Sequence, residues 1–452
     1  MVKNHIEPLV RNTSNESTTP ITTQDDDASP DERQYRLYKR RFFGLAQLVL
    51  LNIVVSWDWL TFAAVSTTAS KYYNVSQTAI NWLSTAFLFA FVLMAPLVIL
   101  TLNRSGPKLA ILISSALILL GNWIRYAGTR ASPPRFGVVM FGQILIGFAQ
   151  PFVLASPTRY SNLWFSDSGR VSATAVASLA NPLGGALGQL VGPFLGSGQA
   201  GIPDIVLYTS IISTVATFPA PFIPKAPPTP PSAIAASEKL DIRQALGELP
   251  RNTSFWLIFI PFGVYVGFFN AFSTVINQVF EPYGFSETDA GIAGALLIVV
   301  GLVAAAIVSP FVDRTKRHTL TIKVLVPLIA LMYIIMIFMP ETREIAGPWA
   351  ISAILGATSF SLLPCTLEYL VLVTHPVSPE ITSVLCWTAG QLLGGLFIII
   401  MNALRGGWAG EPEDTMKGGL VFQAVIAAIV VPLPMFLGTR MLKARSVHLP
   451  QR

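Results

Sequence analysis

Residues 81–101 read NWLSTAFLFAFVLMAPLVILT, an unbroken run with no ionisable side chain. Wound as a helix at about 1.5 Å per residue, such a run crosses the roughly 30 Å hydrocarbon core of a bilayer. The polar stretch Asn103-Arg104-Ser105-Gly106-Pro107-Lys108 follows, and then another apolar run begins. The same alternation fills most of the chain. Helices are the expected form, because in lipid every backbone amide must be satisfied within its own segment. Strands of a membrane barrel would show alternating segments of about ten residues, and these do not. Composition agrees: 52% of the 452 residues are hydrophobic, 12% are charged, and mean hydropathy is +0.58. A soluble domain is nearer 25% charged.

Outward from that run, twelve spans are expected. The first six are 42–68, 81–101, 109–128, 136–157, 171–192 and 203–222. The second six are 255–279, 289–311, 320–339, 348–373, 380–402 and 416–439. Residues 1–35 are polar and read as a disordered tail, not as a signal peptide, which needs a short apolar core. A second short tail covers 441–452. The linker 223–254 opens on a Pro-rich stretch, Pro224 to Pro231. Beyond it Ile242, Ala245, Leu246 and Leu249 share one helical face, as in a helix lying on a membrane surface or a solvated linker helix.

The net charge is +6 with a pI near 9.3. The cations flank apolar spans, and no basic patch with interleaved aromatics appears, so nucleic acid is not an expected partner. With the N-terminus inside, roughly 20 of the 30 Lys and Arg flank inner span ends and roughly 7 flank outer ones, mainly Arg125, Arg130 and Arg135. Both termini are therefore expected in the cytosol, and Asn74-Val75-Ser76 becomes a glycosylation sequon in the first outer loop. The sequons at Asn12, Asn15 and Asn252 would be cytosolic and unused.

Cys365 and Cys386 imply neither a disulfide framework nor a metal site. His5, His318, His375 and His448 are scattered. No phosphate-cradling loop, hydrolytic triad or metal cluster is present, so an enzyme is not expected, nor is a cofactor.

The two sets of six spans repeat each other. Tyr73, Ser76 and Thr78 recur as Tyr283, Ser286 and Thr288, an offset of 210 (283 − 73). At the same offset Arg104 recurs as Arg314, and Gly184-Gly185 as Gly394-Gly395. Val171-Ser172 corresponds to Ile381-Thr382, and Asn181 to Gln391. A constant offset across separate regions argues for a duplicated unit. Six is even, so both copies enter the membrane in the same sense. This is the parallel repeat of the major facilitator fold, with its substrate cavity between the halves near the midplane. The loops Asn103–Lys108 and Asp313-Arg314-Thr315-Lys316-Arg317 also resemble the D-R-x-G-x-(R/K) loop of that superfamily. A charge latch at Arg104, Asp313 and Arg314 is expected, weaker in the first copy, where Asn103 replaces Asp; plain topology is the alternative.

Ionisable groups at membrane depth are costly and usually face a cavity. Asp58, in Ser56-Trp57-Asp58-Trp59, lies about two-thirds of the way along span 1. It either faces the cavity, where it attracts a cation or carries a proton, or bonds a neighbouring helix or the outer interface. Trp59 beside it offers a face to a cation, or anchors the span at the interface. Phe269 in span 7 is its repeat partner, so the pair would form a two-sided cage. Gln150, Asn181 and Gln391 are amides in apolar surroundings and need partners or a ligand. Arg159 and Glu368 are near pseudo-equivalents at inner span ends and form a candidate gate, the alternative being that each pairs with a loop carboxylate or cation. The glycine pairs permit close approach of helices.

These segments resemble one major facilitator family, the feline leukaemia virus subgroup C receptor-related solute carriers, over about residues 36–402. The likeness rests on Tyr38-Lys39-Arg40-Arg41, Ile80-Asn81-Trp82-Leu83-Ser84, Gly142-Gln143 with Ala149-Gln150, and Pro157-Thr158-Arg159 with Trp164-Phe165. Phe272-Ser273-Thr274 with Asn277-Gln278, and Glu368, add to it. The resemblance implies transport of choline or ethanolamine; haem export and pyridoxine transport are also connected with the family. It implies that Trp59 is the cation–π tryptophan and that Gln150 and Gln391 are cavity amides. The family's span-7 tyrosine aligns with Asn270, and its span-1 asparagine with Val55.

The expected protein is thus a monomeric transporter in a lipid bilayer, moving a small organic amine by alternating access. Its binding residues would be Trp59, Asp58, Gln150, Gln391, Phe269, Asn270 and Asn181. A proton-coupled exporter with Asp58 or Glu368 as proton site, or a pyridoxine-type carrier, is the alternative, and a transport-dead nutrient receptor is a third. The plasma membrane is the expected location; the linker's likeness to a lysosomal branch makes a lysosomal or vacuolar membrane the alternative.

Overall fold

The structure, a computed structural model, describes residues 37–438 apart from 197, 199, 230–246, 248, 375–376, 378 and 407–410. The side chains of residues 167, 168, 171, 313, 379 and 380 also lie outside the description. Both tails and the surface-helix residues Ile242, Ala245 and Leu246 fall there; Leu249 opens a short turn of helix and is buried.

Among the described residues, twelve helices of 14 residues or more form the bundle. The first half holds α1 (Arg41–Leu60), α2 (Gln77–Arg104), α3 (Pro107–Arg130), α4 (Phe136–Trp164), α5 (Asp167–Leu195) and α6 (Gly201–Thr217). The second holds α7 (Thr253–Phe280), α8 (Glu287–Thr315), α9 (His318–Met336), α10 (Ala346–Thr374), α11 (Pro379–Ala403) and α12 (Lys417–Val430). Among the described residues eleven segments are long and apolar enough to cross a membrane; α5, 29 residues rich in Gly, Ala and Ser, is as long but less apolar. Leu93, Val215, Ile307 and Phe311 are each more than 60% exposed. Large apolar side chains left bare on this scale mark a lipid-facing surface.

Local signals place the helix ends. Ser76 caps α2 by accepting from the Ala79 N–H. Its repeat partner Ser286 caps α8, with Asp289 completing a capping box. Before α3, Gly106 takes a φ of 77° and Pro107 supplies the first helical position.

Span 1 departs from the expected continuous run over 42–68. α1 stops at Leu60, a turn covers 61–65, and a separate short helix runs Ser66–Tyr73. The physical reason lies in α3 and α4: Arg125 and Gln143 donate to the Asp58 carbonyl in the last turn of α1. Arg125 itself is wholly buried. It therefore leaves the group of loop cations to which its place near a span end had assigned it. At the end of the chain, span 12 bends at Val431, where Pro432 and Pro434 follow.

The duplication is visible in the packing. α1 packs on α5 as α7 packs on α11; α3 on α4 as α9 on α10; α2 on α4 as α8 on α10. Across the seam α5 meets α8 and α2 meets α11, again a matched pair. The glycine pairs sit where these contacts cross. A Cβ on Gly184 would lie 2.0 Å from the Ile53 carbonyl oxygen on α1, and one on Gly394 would lie 2.8 Å from Asn270 Cβ on α7. Their neighbours face the other half: a Cβ on Gly185 would lie 3.4 Å from Ile298 on α8, and one on Gly395 would lie 2.5 Å from Phe89 on α2. Gly184 thus seats α5 within its own half and Gly395 seats α11 on the partner half, while Gly185 and Gly394 have neighbours in both halves.

Two ends of the bundle can be told apart, the terminal end where α1 begins and the far end where it stops. At the far end Lys417 opens α12 and bridges Glu341 at 2.6 Å and Glu411 at 2.5 Å, while the Tyr283 hydroxyl donates to Glu411 at 2.9 Å. The Lys417 ammonium holds the Glu411 carboxyl below the usual carboxylate range.

Candidate functional site

The repeat offset brings Trp59 of α1 and Phe269 of α7 together at the seam. Their ring centroids are 6.3 Å apart and their planes are tilted by 55°, an open V rather than a stack. Phe360 of α10 meets Phe269 edge-on at 5.3 Å and fixes its orientation. The residue after Phe269 on α7 carries an amide. The Asn270 Nδ2 donates to Gln391 Oε1 at 3.2 Å and to the Gly390 carbonyl at 3.4 Å. Trp59 Nε1 and Gln150 Oε1 are buried and have no partner among the described residues. A buried donor or acceptor without a partner costs about 1–3 kcal/mol, so an unmatched donor and acceptor are groups that a polar ligand would satisfy.

Asn181 sits elsewhere: its Nδ2 donates to the Asn52 carbonyl at 3.4 Å and ties α5 to α1. Asp58 is fully buried in a second cluster behind Trp59. Its Oδ1 accepts from Arg125 Nη2 at 2.8 Å and its Oδ2 from Asn122 Nδ2 at 2.7 Å. Arg125 Nη1 donates to Gln143 Oε1 at 2.7 Å and to the Asp58 carbonyl oxygen at 3.0 Å, which also accepts from Gln143 Nε2 at 3.2 Å. Arg125 Nη2 reaches Asn122 Oδ1 at 2.7 Å. The guanidinium lies 5.5 Å from the centre of the Phe62 ring.

Between the corner and the far end, polar bonds cross from one half to the other. Gln189 of α5 donates to the Ser273 carbonyl of α7 at 2.7 Å. A Cβ on Gly294 of α8 would lie 2.9 Å from the Gln189 side chain, so only glycine leaves it room. Beyond it Asn81 and Gln278 exchange two bonds, at 3.0 and 2.7 Å, and Asn81 also donates to Asn402 at 2.9 Å. At the tip, the Thr67 hydroxyl and Gln77 Nε2 donate to Glu281 at 2.5 and 2.9 Å. The Thr68 N–H and hydroxyl donate to Glu287 at 2.9 and 2.6 Å. Asn277 donates to Ser66 at 3.0 Å, and Arg405 to Gln77 at 2.7 Å. Together these bonds seal the far end. The first half contributes hydroxyls and amides; the second contributes two carboxylates together with the amides of Asn277, Gln278 and Asn402 and the guanidinium of Arg405.

The Major Facilitator Superfamily profile matches residues 48–398. The chain belongs to this superfamily. It is 31% identical over 407 residues to Solute carrier family 49 member A3 of Danio rerio, covering 88% of this chain and 84% of that one. Choline/ethanolamine transporter FLVCR1 of Mus terricolor is 30% identical over 396 residues, covering 81% and 70%. Within the superfamily the chain therefore falls in the feline leukaemia virus subgroup C receptor-related group. A bacterial homologue of the human lysosomal transporter Spinster, in an inward-facing and unoccupied conformation, superposes with a TM-score of 0.67 at 13% identity, covering 89% of this chain and 97% of that one. The xylose transporter XylE from E. coli superposes at 0.66 and 14%, covering 89% and 99%. The homologues and the fold are those of membrane transporters.

For this superfamily member the remaining candidates lie at the terminal end. Arg104 and Arg314 are exposed at the ends of α2 and α8, and the side chain of Asp313 lies outside the described residues. Arg159, on α4, is half-buried with an unpartnered Nε, while Glu368 is exposed on α10; among the described contacts none joins the two. Residues of the seal escaped sequence reasoning as a group. Asn81, Asn277 and Gln278 stood out only as marks of resemblance, and Arg125, Gln143 and Gln189 carried no signal of their partners.

Proposed function

We propose that this transporter carries a small organic amine such as choline or ethanolamine by alternating access, binding it at the Trp59–Phe269 corner. The single observation carrying this reading is the tilted aromatic pair contributed by both halves. A cation at about 5 Å from both ring centres faces both rings, each worth ~1–2 kcal/mol when desolvated. Gln150 Oε1 then accepts from the ligand's hydroxyl or ammonium, and Gln391 is held for the same task by Asn270. Relatives named as choline/ethanolamine transporters support the substrate class. In this reading both termini lie in the cytosol, the far end faces outward, and the plasma membrane is the site of action. Arg104, Asp313, Arg314, Arg159 and Glu368 act at the terminal end as its latch and gate.

Labelled-choline counterflow into liposomes containing the purified protein tests it, because counterflow needs no coupling ion. Signal in the wild type, and at sub-saturating choline its fall by about tenfold or more in Trp59→Ala, is the expected result. Folded protein with no signal for choline or ethanolamine overturns the amine reading.

A further inference from the structure

Trp59 and the sealing residues Ser66–Thr68 lie on opposite sides of one break in α1, which is held in an unusual way. Carbonyls in the last turn of a helix have no intrahelical partner, and a buried one must find a bond elsewhere. The Asp58 carbonyl finds two, from Arg125 on α3 and Gln143 on α4. The same guanidinium grips the Asp58 carboxylate and the Asn122 amide. Asn122 in turn offers its backbone carbonyl to Ser210 of α6 at 3.1 Å. One arginine thus ties the end of α1 to α3 and α4, and α3 is bonded in turn to α6.

We propose that Arg125 is a positioning residue of the transport cycle, setting the break in α1 so that Trp59 faces Phe269 while Thr67 and Thr68 reach Glu281 and Glu287. The inference rests on the amine reading only for what is carried; the coupling of corner to seal stands by itself. Three features support it. The ion pair is wholly buried on both sides, so it contributes geometry rather than a field at the seam, and both Asp58 oxygens are occupied. A buried pair of this kind is weak evidence for stability, and fixing one arrangement among several is its better-attested use. The guanidinium's planar fork meets the carboxylate, carbonyl and two amides at once, which a lysine ammonium cannot do. Finally, only a turn of chain separates the pinned carbonyl from the sealing residues, so the pin sets their reach across the seam.

The test reads geometry, not transport. Cysteines at Thr67 and Glu281 are bridged with a short bifunctional thiol reagent in liposomes; the native Cys365 and Cys386 are buried. A second pair, at Asn81 and Asn402, crosses the same seam on α2 and α11, away from the pinned segment. In Arg125→Lys, which keeps the charge opposite Asp58, bridging of 67 to 281 is expected to fall about fivefold or more, the scale of a lost charge-assisted bond. Bridging of 81 to 402 stays at its wild-type level. Gln143→Leu, which removes one bond to the carbonyl, shows a smaller fall of the same kind. Unchanged bridging at 67–281, or equal loss at both pairs in both variants, overturns the proposal. Wild-type protein that ignores choline and ethanolamine would overturn the amine reading alone and leave this comparison decisive.

Discussion

Trp59 and Phe269 come from opposite halves of the chain, and their rings meet at 6.3 Å with planes inclined by 55°. The two faces of such a V are unequal for a cation. The indole attracts more strongly than the benzene ring. Trp59→Ala is therefore expected to raise the choline half-saturation concentration about tenfold or more, and Phe269→Ala by about threefold. Trp59→Phe should fall between them. Concentration series of counterflow in liposomes measure all three, and equal effects of the two alanine variants would contradict the unequal walls.

The corner was legible in the sequence because two independent signals met there. Trp59 stood beside a charge at membrane depth, and the repeat offset pointed from 59 to 269. The twelve spans were legible for a simpler reason, since lipid tolerates no other arrangement of a long apolar run. The Asp58–Arg125 pair was not legible. Its members are 67 positions apart, and an arginine near a span end carries the same sequence signature whether it points to headgroups or into a core. Of the two readings open for Asp58, a charge facing the cavity or a bond to a neighbouring helix, the structure shows the second, with Arg125 and Asn122 of α3. The seal was hidden for a related reason: polar residues at helix ends attract no notice, and only three-dimensional pairing turns Thr67, Asn81, Gln278 and Glu281 into one device.

The seal makes its own prediction. Glu281 accepts two bonds from the first half, from Thr67 and Gln77. Glu281→Ala removes both, and each net bond to a charged group is worth about 1.5–3 kcal/mol. The far end should open more often, and a cysteine at the buried position Thr274 should react roughly tenfold faster with a water-soluble thiol reagent applied at that end. No change in its labelling rate would remove Glu281 from the seal.

At Gly184 the chain has no room at all. A Cβ there would stand 2.0 Å from a backbone oxygen of α1, which cannot rotate away. Gly184→Ala is expected to lower stability by about 1–3 kcal/mol through forced separation of α5 from α1. Gly106→Ala, at a φ of 77° with nothing near its Cβ, should cost only about 1 kcal/mol. Thermal unfolding of the two variants side by side, in the same detergent, checks the order.

The cluster of Lys417, Glu341 and Glu411 predicts a dependence on acid. Glu411 titrates below its ordinary range in the folded chain because Lys417 bonds its carboxylate. Folding therefore favours its charged form. The contribution is fully present above the ordinary carboxylate pKa, and it is lost as the pH falls through that value and then through the lower, folded one. Melting temperature should decline over this acidic interval, and Glu411→Gln should shallow the decline. Parallel curves for the two proteins would show that the cluster contributes nothing.

The glycine pairs of α5 and α11 have a practical consequence. They are places where one added methyl group works as a wedge. An alanine at Gly184 would disturb its half from within. An alanine at Gly395, against Phe89 of the other half, would bias how the two halves meet while leaving every residue of the aromatic corner intact. That position is a handle for arresting the carrier in a chosen posture, so that ligands can be screened against a cavity whose own chemistry is unaltered.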